Sequence, residues 1–299
     1  MKQNIFPIIT RYMKWFAVVS ALVLIPGIIS LLKFGVRPSI DFTGGTLLEL
    51  QISNGKQNEY TETAIKGLLS KDEELVSIQW SGTTRVLLRL SPLDVIHKSD
   101  LENKLKKVDP GVSETRYETL GPILGHELIV KTGYAVALSV VLIAIYLGIR
   151  FSSFQYGVSA AVATLHDGLV VLGTFSILGH FAGVEVDVLF VTALLTILSF
   201  SVHDTIIVYD RIRERLARKT NASFEEIVNM AALETLNRSL RNSLAVLFML
   251  AMVFLLTAGT LHWFVLTLLV GTLTGTYSST CVALPLLVIW ERVQRKQRK

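Results

Sequence analysis

Charge is missing from this sequence in blocks, and that pattern narrows the fold more than any other. Residues 15–32, 133–149, 243–261 and 264–290 contain no Lys, Arg, Asp or Glu, while 157–179 and 188–208 contain one charge each, Asp167 and Asp204. A helix crossing the hydrocarbon of a bilayer needs roughly 20 mostly apolar residues, because lipid offers an exposed backbone no hydrogen-bond partner. Six blocks of this kind predict six transmembrane helices. Charged residues make up 18% of the 299, against about 25% in a soluble domain, and the shortfall lies in these blocks. The single cysteine, Cys281, excludes an intramolecular disulfide.

The short connections carry the remaining topological information. Lys2, Arg11 and Lys14 precede the first block, and the absence of a small-residue cleavage site before Lys33 reads as an uncleaved signal anchor. Arg150 lies between the second and third blocks. Arg211, Arg213, Arg215, Arg218, Lys219, Arg238 and Arg241 lie between the fourth and fifth, and Arg292, Arg295, Lys296, Arg298 and Lys299 follow the sixth. Residues 180–187 and 262–263, read as the opposite loops, have no basic residue. Basic loops stay in the cytoplasm, so both termini are expected there. The net charge of +5 follows from this topology and predicts no nucleic-acid partner.

Residues 33–132 hold thirteen Lys/Arg against fourteen Asp/Glu, the balance of a domain in water. The chain therefore divides into 1–34 (N-terminus and first span), 35–132 (an extracytoplasmic domain) and 133–299 (five further spans, a cytoplasmic loop at 209–242 and a basic tail). In the extracytoplasmic part, Thr46–Ile52 reads as a strand ending at Asn54-Gly55. Asn58–Leu69 has helical apolar spacing, and Leu75–Trp80 and Arg85–Leu90 form a hairpin about Ser81-Gly82-Thr83. Val95–Val108 is a second helix, with Ile96, Leu101 and Leu105 as its stripe and Ser99 or an earlier residue as its cap. Asp109-Pro110-Gly111 stops it before a strand at Val112–Leu120. The order βαββαβ is that of a ferredoxin-like α+β sandwich. No cluster with metal-ligand spacing occurs there, so the domain is expected to make contacts and to carry no catalytic, metal or cofactor site. Asp41-Phe42-Thr43-Gly44-Gly45 precedes it as a glycine turn.

A carboxylate at the bilayer centre costs on the order of 2.5–3.5 kcal/mol, so one kept there faces protein or water. Asp167 follows Thr164 and His166. Asp204 follows Ser201 and His203, and Ser201 shares its helix face at a spacing of three. Both histidines read as satisfied packing groups. Beyond Thr205 the span continues into Tyr209-Asp210-Arg211-Ile212-Arg213-Glu214 without a break in helical pattern. After Thr220-Asn221, Ser223 and Glu226 form a capping box, and the helix they open runs through Arg238 and Arg241 into the fifth span. Arg241 reads as an interfacial arginine, and Arg238 as either that or the partner of a carboxylate.

Taken in order, Asp41–Gly45, His166-Asp167, the run from Asp204 to Glu214 and Thr235-Leu236-Asn237-Arg238-Ser239 resemble the SecF half of the SecD/SecF protein translocase family, within the resistance-nodulation-division superfamily. His203 departs from the asparagine more frequent there. The resemblance covers nearly the whole chain. It implies a six-helix bundle of that superfamily's type working with a SecD-like subunit as a heterodimer. Such a pair acts beside the Sec channel and a YidC-type insertase, drawing a polypeptide across the bilayer with the proton-motive force or a sodium gradient. It also implies ion coupling at Asp204 and Arg238, with Asp167 as a further candidate. Ser201, His203, Thr205, Asp210 and Arg211 would support them, and Asp41, Gly44 and Gly45 would form a structural motif. Rival expectations are a small-molecule or lipid efflux half-transporter, an intramembrane aspartyl protease built on two carboxylates, and a scaffold without ion flux.

Overall fold

The computed structural model describes residues 8–69, 74–80, 82–218 and 222–297. Lys2, Ser81, Lys219, Thr220, Asn221, Arg298 and Lys299, named above, lie outside the described residues. Contacts divide the chain into two units. One holds the residues up to Val36, Tyr134–Val184 and those from Leu189 on; the other holds Arg37–Gly133 with Glu185–Val188.

Six helices among the described residues are long and apolar enough to cross a membrane. They are α1 (Ile8–Phe34), α5 (Pro122–Arg150), α6 (Phe154–Ala182), α7 (Val188–Ala217), α8 (Phe224–Leu256) and a composite sixth. The sixth joins α9 (Gly259–Ser278) to α10 (Leu284–Gln297) through a π-helical turn, Ser279–Ala283. In α8 the Ser223/Glu226 capping box is formed, and the helix it opens runs unbroken into the fifth span. The connection expected at 262–263 lies earlier. Thr257 and Ala258 are extended, and Gly259 takes a positive φ of 64°. His262 then sits in the first turn of α9 with Nδ1 3.1 Å from the carbonyl oxygens of Phe254 and Thr257, closing the open end of α8.

The bundle is drawn together by small residues. A Cβ on Gly173 of α6 would stand 2.6 Å from the Cα of Gly27 in α1, and one on Gly275 of α9 would stand 3.1 Å from the Ser201 Cβ of α7. Such close backbone approach replaces the hydrophobic drive that lipid cannot supply between helices. At the helix ends Tyr209 is fully buried, with Tyr156 and Phe151 edge-on at 4.9 and 5.6 Å between ring centres.

The second unit contains α2 (Ile40–Thr43), β1 (Gly45–Gln51), a 3₁₀ turn (Gln57–Tyr60), α3 (Glu62–Leu68), β2 (Leu75–Trp80), β3 (Arg85–Leu90), α4 (Val95–Val108) and β4 (Ser113–Leu120). The sheet order is β2-β3-β1-β4, antiparallel throughout, which is the ferredoxin-like arrangement. Opposed pairs such as Leu48 with Leu88 and Leu50 with Val86 put one face inward, against Ile65, Leu101 and Leu105 of the helices. Each such side chain contributes about 1.5–3 kcal/mol when fully buried. The cap of α4 is Asp94, whose Oδ1 accepts from His97 N at 2.9 Å. That start leaves Ile96 in the first turn and exposed, and Leu93 takes the core position instead.

Asp109 ends α4 and is 1% exposed; its carboxylate accepts from Ser53 N (2.9 Å), Ser53 Oγ (2.7 Å) and Gly111 N (3.0 Å). Burial opposes its ionisation, but these bonds outweigh burial and hold its pKa below the usual carboxylate value. A depressed folded pKa gives stability that is complete above the ordinary carboxylate pKa and lost as pH falls through the folded value. Asp109→Asn is therefore expected to lower the protection of the sheet by about 1.5–3 kcal/mol at pH 7, read by amide hydrogen exchange, with the deficit shrinking in acid. At Gly44, φ is 74° with ψ 170°, and a Cβ would lie 2.7 Å from Pro122 N and Cα. Gly44→Ala is expected to cost about 1–3 kcal/mol from the backbone alone, more with the clash, read by the same exchange at β1.

Candidate functional site

Asp167 projects from the middle of α6 and is wholly buried. Its Oδ2 accepts from Ser201 Oγ of α7 and from Ser278 Oγ of α9, each at 2.6 Å. His166 Nδ1 lies 3.1 Å from Oδ1, and His166 Nε2 is buried without a partner. The histidine is thus half satisfied, contrary to the expectation of a fully bonded packing group. One carboxylate therefore joins three helices. Ser278 is the last residue of α9 and borders the π turn, where the hydrogen-bond ladder shifts register.

Asp204, 3% exposed, faces a different neighbour. Its Oδ2 accepts from Ser239 Oγ of α8 at 2.5 Å. Ser201 stands one turn away on α7, yet its hydroxyl goes to Asp167, and Thr205 Oγ1 returns to the Ser201 carbonyl at 3.0 Å. His203 is exposed, its side chain turned from Asp204 by the helical rotation of one residue. Arg238 is exposed too, and no ion pair joins it to Asp204 among the described residues. Arg241 is exposed, with Nε on the Asn237 carbonyl at 3.1 Å. Among the described residues Asp167 is met by two hydroxyls and His166, and Asp204 by one hydroxyl.

The charged run after Asp204 forms a network beyond the apolar part of α7. Asp210 lies 3.4 Å from Arg150 Nη2, Arg211 pairs with Glu234 and Glu214, and Arg215 also pairs with Glu234. Tyr209 instead turns inward to Ser159, 2.6 Å away. No hydrogen bond joins Asp167 to Asp204 among the described residues, so the shared-proton pair of an aspartyl protease is not formed. No group of three His, Cys, Asp or Glu side chains is placed to hold a metal among the described residues.

In the second unit, Ser39 caps α2 and Asp41 Oδ2 accepts from Val188 N at 2.9 Å, placing a negative charge on the first amide of α7. Arg89 of β3, 8% exposed, pairs with Glu185 in the same unit. Burial pulls the Arg89 pKa down to about 10, against the opposing pull of Asp187 and Asp41. Gly44 and Gly45 let the chain pass from α2 into β1, since a Cβ at Gly45 would meet the Leu90 carbonyl oxygen at 2.9 Å.

Sequence reasoning missed Ser239, Ser278 and Arg89. Ser239 follows Arg238 directly, so its position was in view but its face was not. Ser278 lies 111 residues from Asp167, and no spacing rule links them. Arg89 sits in a strand whose alternation alone suggests an exposed charge.

The description "Protein export membrane protein SecD/SecF, C-terminal" matches residues 100–293, and "SecD/SecF GG Motif" matches residues 29–55. Over 296 residues the chain is 40% identical to the protein translocase subunit SecF of Thermobaculum terrenum, covering 95% of this chain and 93% of that one. It is 33% identical to the protein translocase subunit SecDF of Bacillus subtilis over 295 residues, 96% of this chain and 38% of the relative. The crystal structure of SecDF from Thermus thermophilus, a translocon-associated membrane protein, superposes with a TM-score of 0.81 at 30% identity, covering 94% of this chain and 38% of that chain. The match runs through nearly the whole of this chain, and the chain spans 93% of the SecF relative but 38% of the two SecDF relatives. The chain belongs to the SecF family of protein translocase subunits, multi-pass membrane proteins whose role is protein export and not enzymatic turnover.

Proposed function

We propose that this subunit couples an ion gradient, in the first instance the proton-motive force, to late steps of polypeptide translocation through Asp204. The observation that carries this reading is the Asp204 carboxylate, buried in α7 and met by the Ser239 hydroxyl, with Arg238 next to that serine in the sequence. Successive residues on a helix point about 100° apart. A rotation of α8 by that step replaces Ser239 with Arg238 in front of Asp204. A protonated aspartic acid is content with a hydroxyl, whereas an ionised one in low dielectric demands a cation. Protonation thus selects between two orientations of α8. One charge moved through 100 mV supplies about 2.3 kcal/mol, enough to bias such a two-state element.

Asp167 takes the second role. Serine hydroxyls from two other helices on one oxygen hold α6, α7 and α9 in register. Ser201, Asp210 and Arg211 tie α7 to α6, α5 and α8, Thr205 bonds within α7, and Asp41 accepts from Val188 N inside the second unit. The SecDF relatives, of whose length this chain accounts for 38% in Bacillus subtilis, support a SecD-like subunit as partner in a heterodimer. The Sec channel, a YidC-type insertase and the moving polypeptide are the further contacts of this reading. The alternation of basic loops supports an orientation with both termini in the cytoplasm, and the bacterial translocase relatives support an inner-membrane location.

The test is preprotein release from vesicles with and without an imposed proton gradient. Asp204→Asn and Arg238→Ala are expected to lose at least about tenfold of the gradient-dependent rate, equivalent to about 1.4 kcal/mol of coupling. The rate without a gradient should be unchanged. Normal gradient-dependent release by Asp204→Asn would end the proposal and favour a scaffold role. Ser239→Ala separates the rotation from the charge: it is expected to keep a gradient response but reduce its amplitude about two- to fivefold, and wild-type behaviour would remove Ser239 from the switch.

A further inference from the structure

At one end of the helical unit, where α5 stops, α6 starts, α7 stops, α8 starts and α10 passes, the helix ends enclose a cavity of about 430 Å³. This volume falls within the range of ligand sites, roughly 300–1,000 Å³. None of the ion-coupling residues lines it.

Its chemistry is specific. Arg213 of α7 borders it, with Nη1 on the Arg150 carbonyl at 3.2 Å and its guanidinium 5.9 Å from the Phe151 ring centre. No carboxylate pairs with Arg213 among the described residues, so its charge is held in place by a carbonyl and a ring and is not neutralised. Arg295 of α10 borders the same space, paired within its helix to Glu291, also a lining residue, at 3.0 Å. Most of the five N–H donors on each arginine remain free. Gln155, in the first turn of α6, lines the cavity too, and its Oε1 is buried with no partner. Tyr156 and Phe151 supply aromatic walls.

An occupant that satisfies these groups carries an anion for the two guanidiniums and a hydroxyl donor for Gln155 Oε1 and Glu291. Because the surrounding helices span a bilayer, their ends lie in the headgroup layer, where such an occupant is a lipid. Arginine binds phosphate oxygens through paired N–H donors, and basic pockets between span ends recognise anionic headgroups. We propose that this cavity holds the phosphoglycerol headgroup of one anionic phospholipid, with Arg213 and Arg295 on its phosphate and Gln155 on a glycerol hydroxyl. The bound lipid would cross-link the α5–α6 turn, the end of α7 and α10, and so set the mobility of the α7–α8 region.

The experiment is native mass spectrometry of the full chain, purified with any subunit that accompanies it, from nanodiscs of equal phosphatidylglycerol and phosphatidylethanolamine. One retained phosphatidylglycerol is expected, preferred about tenfold or more, the effect of two basic groups at a membrane surface. The double variant Arg213→Gln/Arg295→Gln should abolish the preference. Arg218→Gln, which removes an arginine paired with Glu214 outside the cavity, should leave it intact. Equal retention of the two lipids, a preference unchanged in the double variant, or an equal loss in Arg218→Gln would overturn the proposal. Displacement by millimolar free glycerol phosphate would overturn its assignment to lipid. Should the double variant fail to fold, Arg295→Gln alone decides, since that side chain is 60% exposed. It is expected to lower the preference about three- to fivefold, and an unchanged preference would overturn the proposal.

Discussion

Two carboxylates placed inside an apolar bundle must be solvated by the protein itself, and the arrangement of the spans follows from that demand. In hydrocarbon an ionised acid without donors costs several kcal/mol. Asp167 meets the demand by drawing one serine from α7 and another from α9 onto a single oxygen. Asp204 has a single serine partner, from α8. The small residues at the crossings are the other half of the same solution. Hydroxyls reach a carboxylate at 2.6 Å only when backbones approach closely, and Gly275 against Ser201 allows that approach where a larger side chain would hold the helices apart.

The two acids are served differently, and the difference matters for a protein-export subunit. Asp167 is tied to two neighbours with a histidine alongside, an arrangement that holds helices in register. Asp204 has one hydroxyl partner, and the next residue on the same helix is an arginine that faces away. In the proposed coupling, the Ser239 hydroxyl and the adjacent Arg238 are the two alternatives between which protonation of Asp204 would select. The π turn after Ser278 adds a place where the sixth span departs from regular geometry beside the better-tied acid.

Outside the bundle the logic is local. The α+β unit builds its core from alternating strand residues and two amphipathic helices, and it closes its turns with Asp109, Asp94 and the glycine pair. These elements were legible because each depends on neighbours within a few residues: short apolar runs in β1 and β3, the Asn54-Gly55 turn and the Asp109-Pro110-Gly111 stop. The details that differ are Ile96, which lies exposed in the first turn of α4 behind the Asp94 cap, and the end of α8, which extended residues at Thr257 and Ala258 place before the apolar run stops.

The sequence by itself determined the membrane class, the six spans, the βαββαβ order, the capping box that makes α8 continuous, and the presence of Asp167 and Asp204 where lipid should have excluded them. Those properties depend on composition and short-range periodicity, which survive without knowledge of the fold. Tertiary structure alone decided which donors solvate each acid. Ser201 could have served Asp204 by its spacing and serves Asp167 instead; Ser239, not Arg238, faces Asp204; Ser278 reaches Asp167 from 111 residues away. The reason is rotational: a turn of one helix by a single residue, about 100°, exchanges a hydroxyl for a guanidinium, and only packing against the other spans sets that angle.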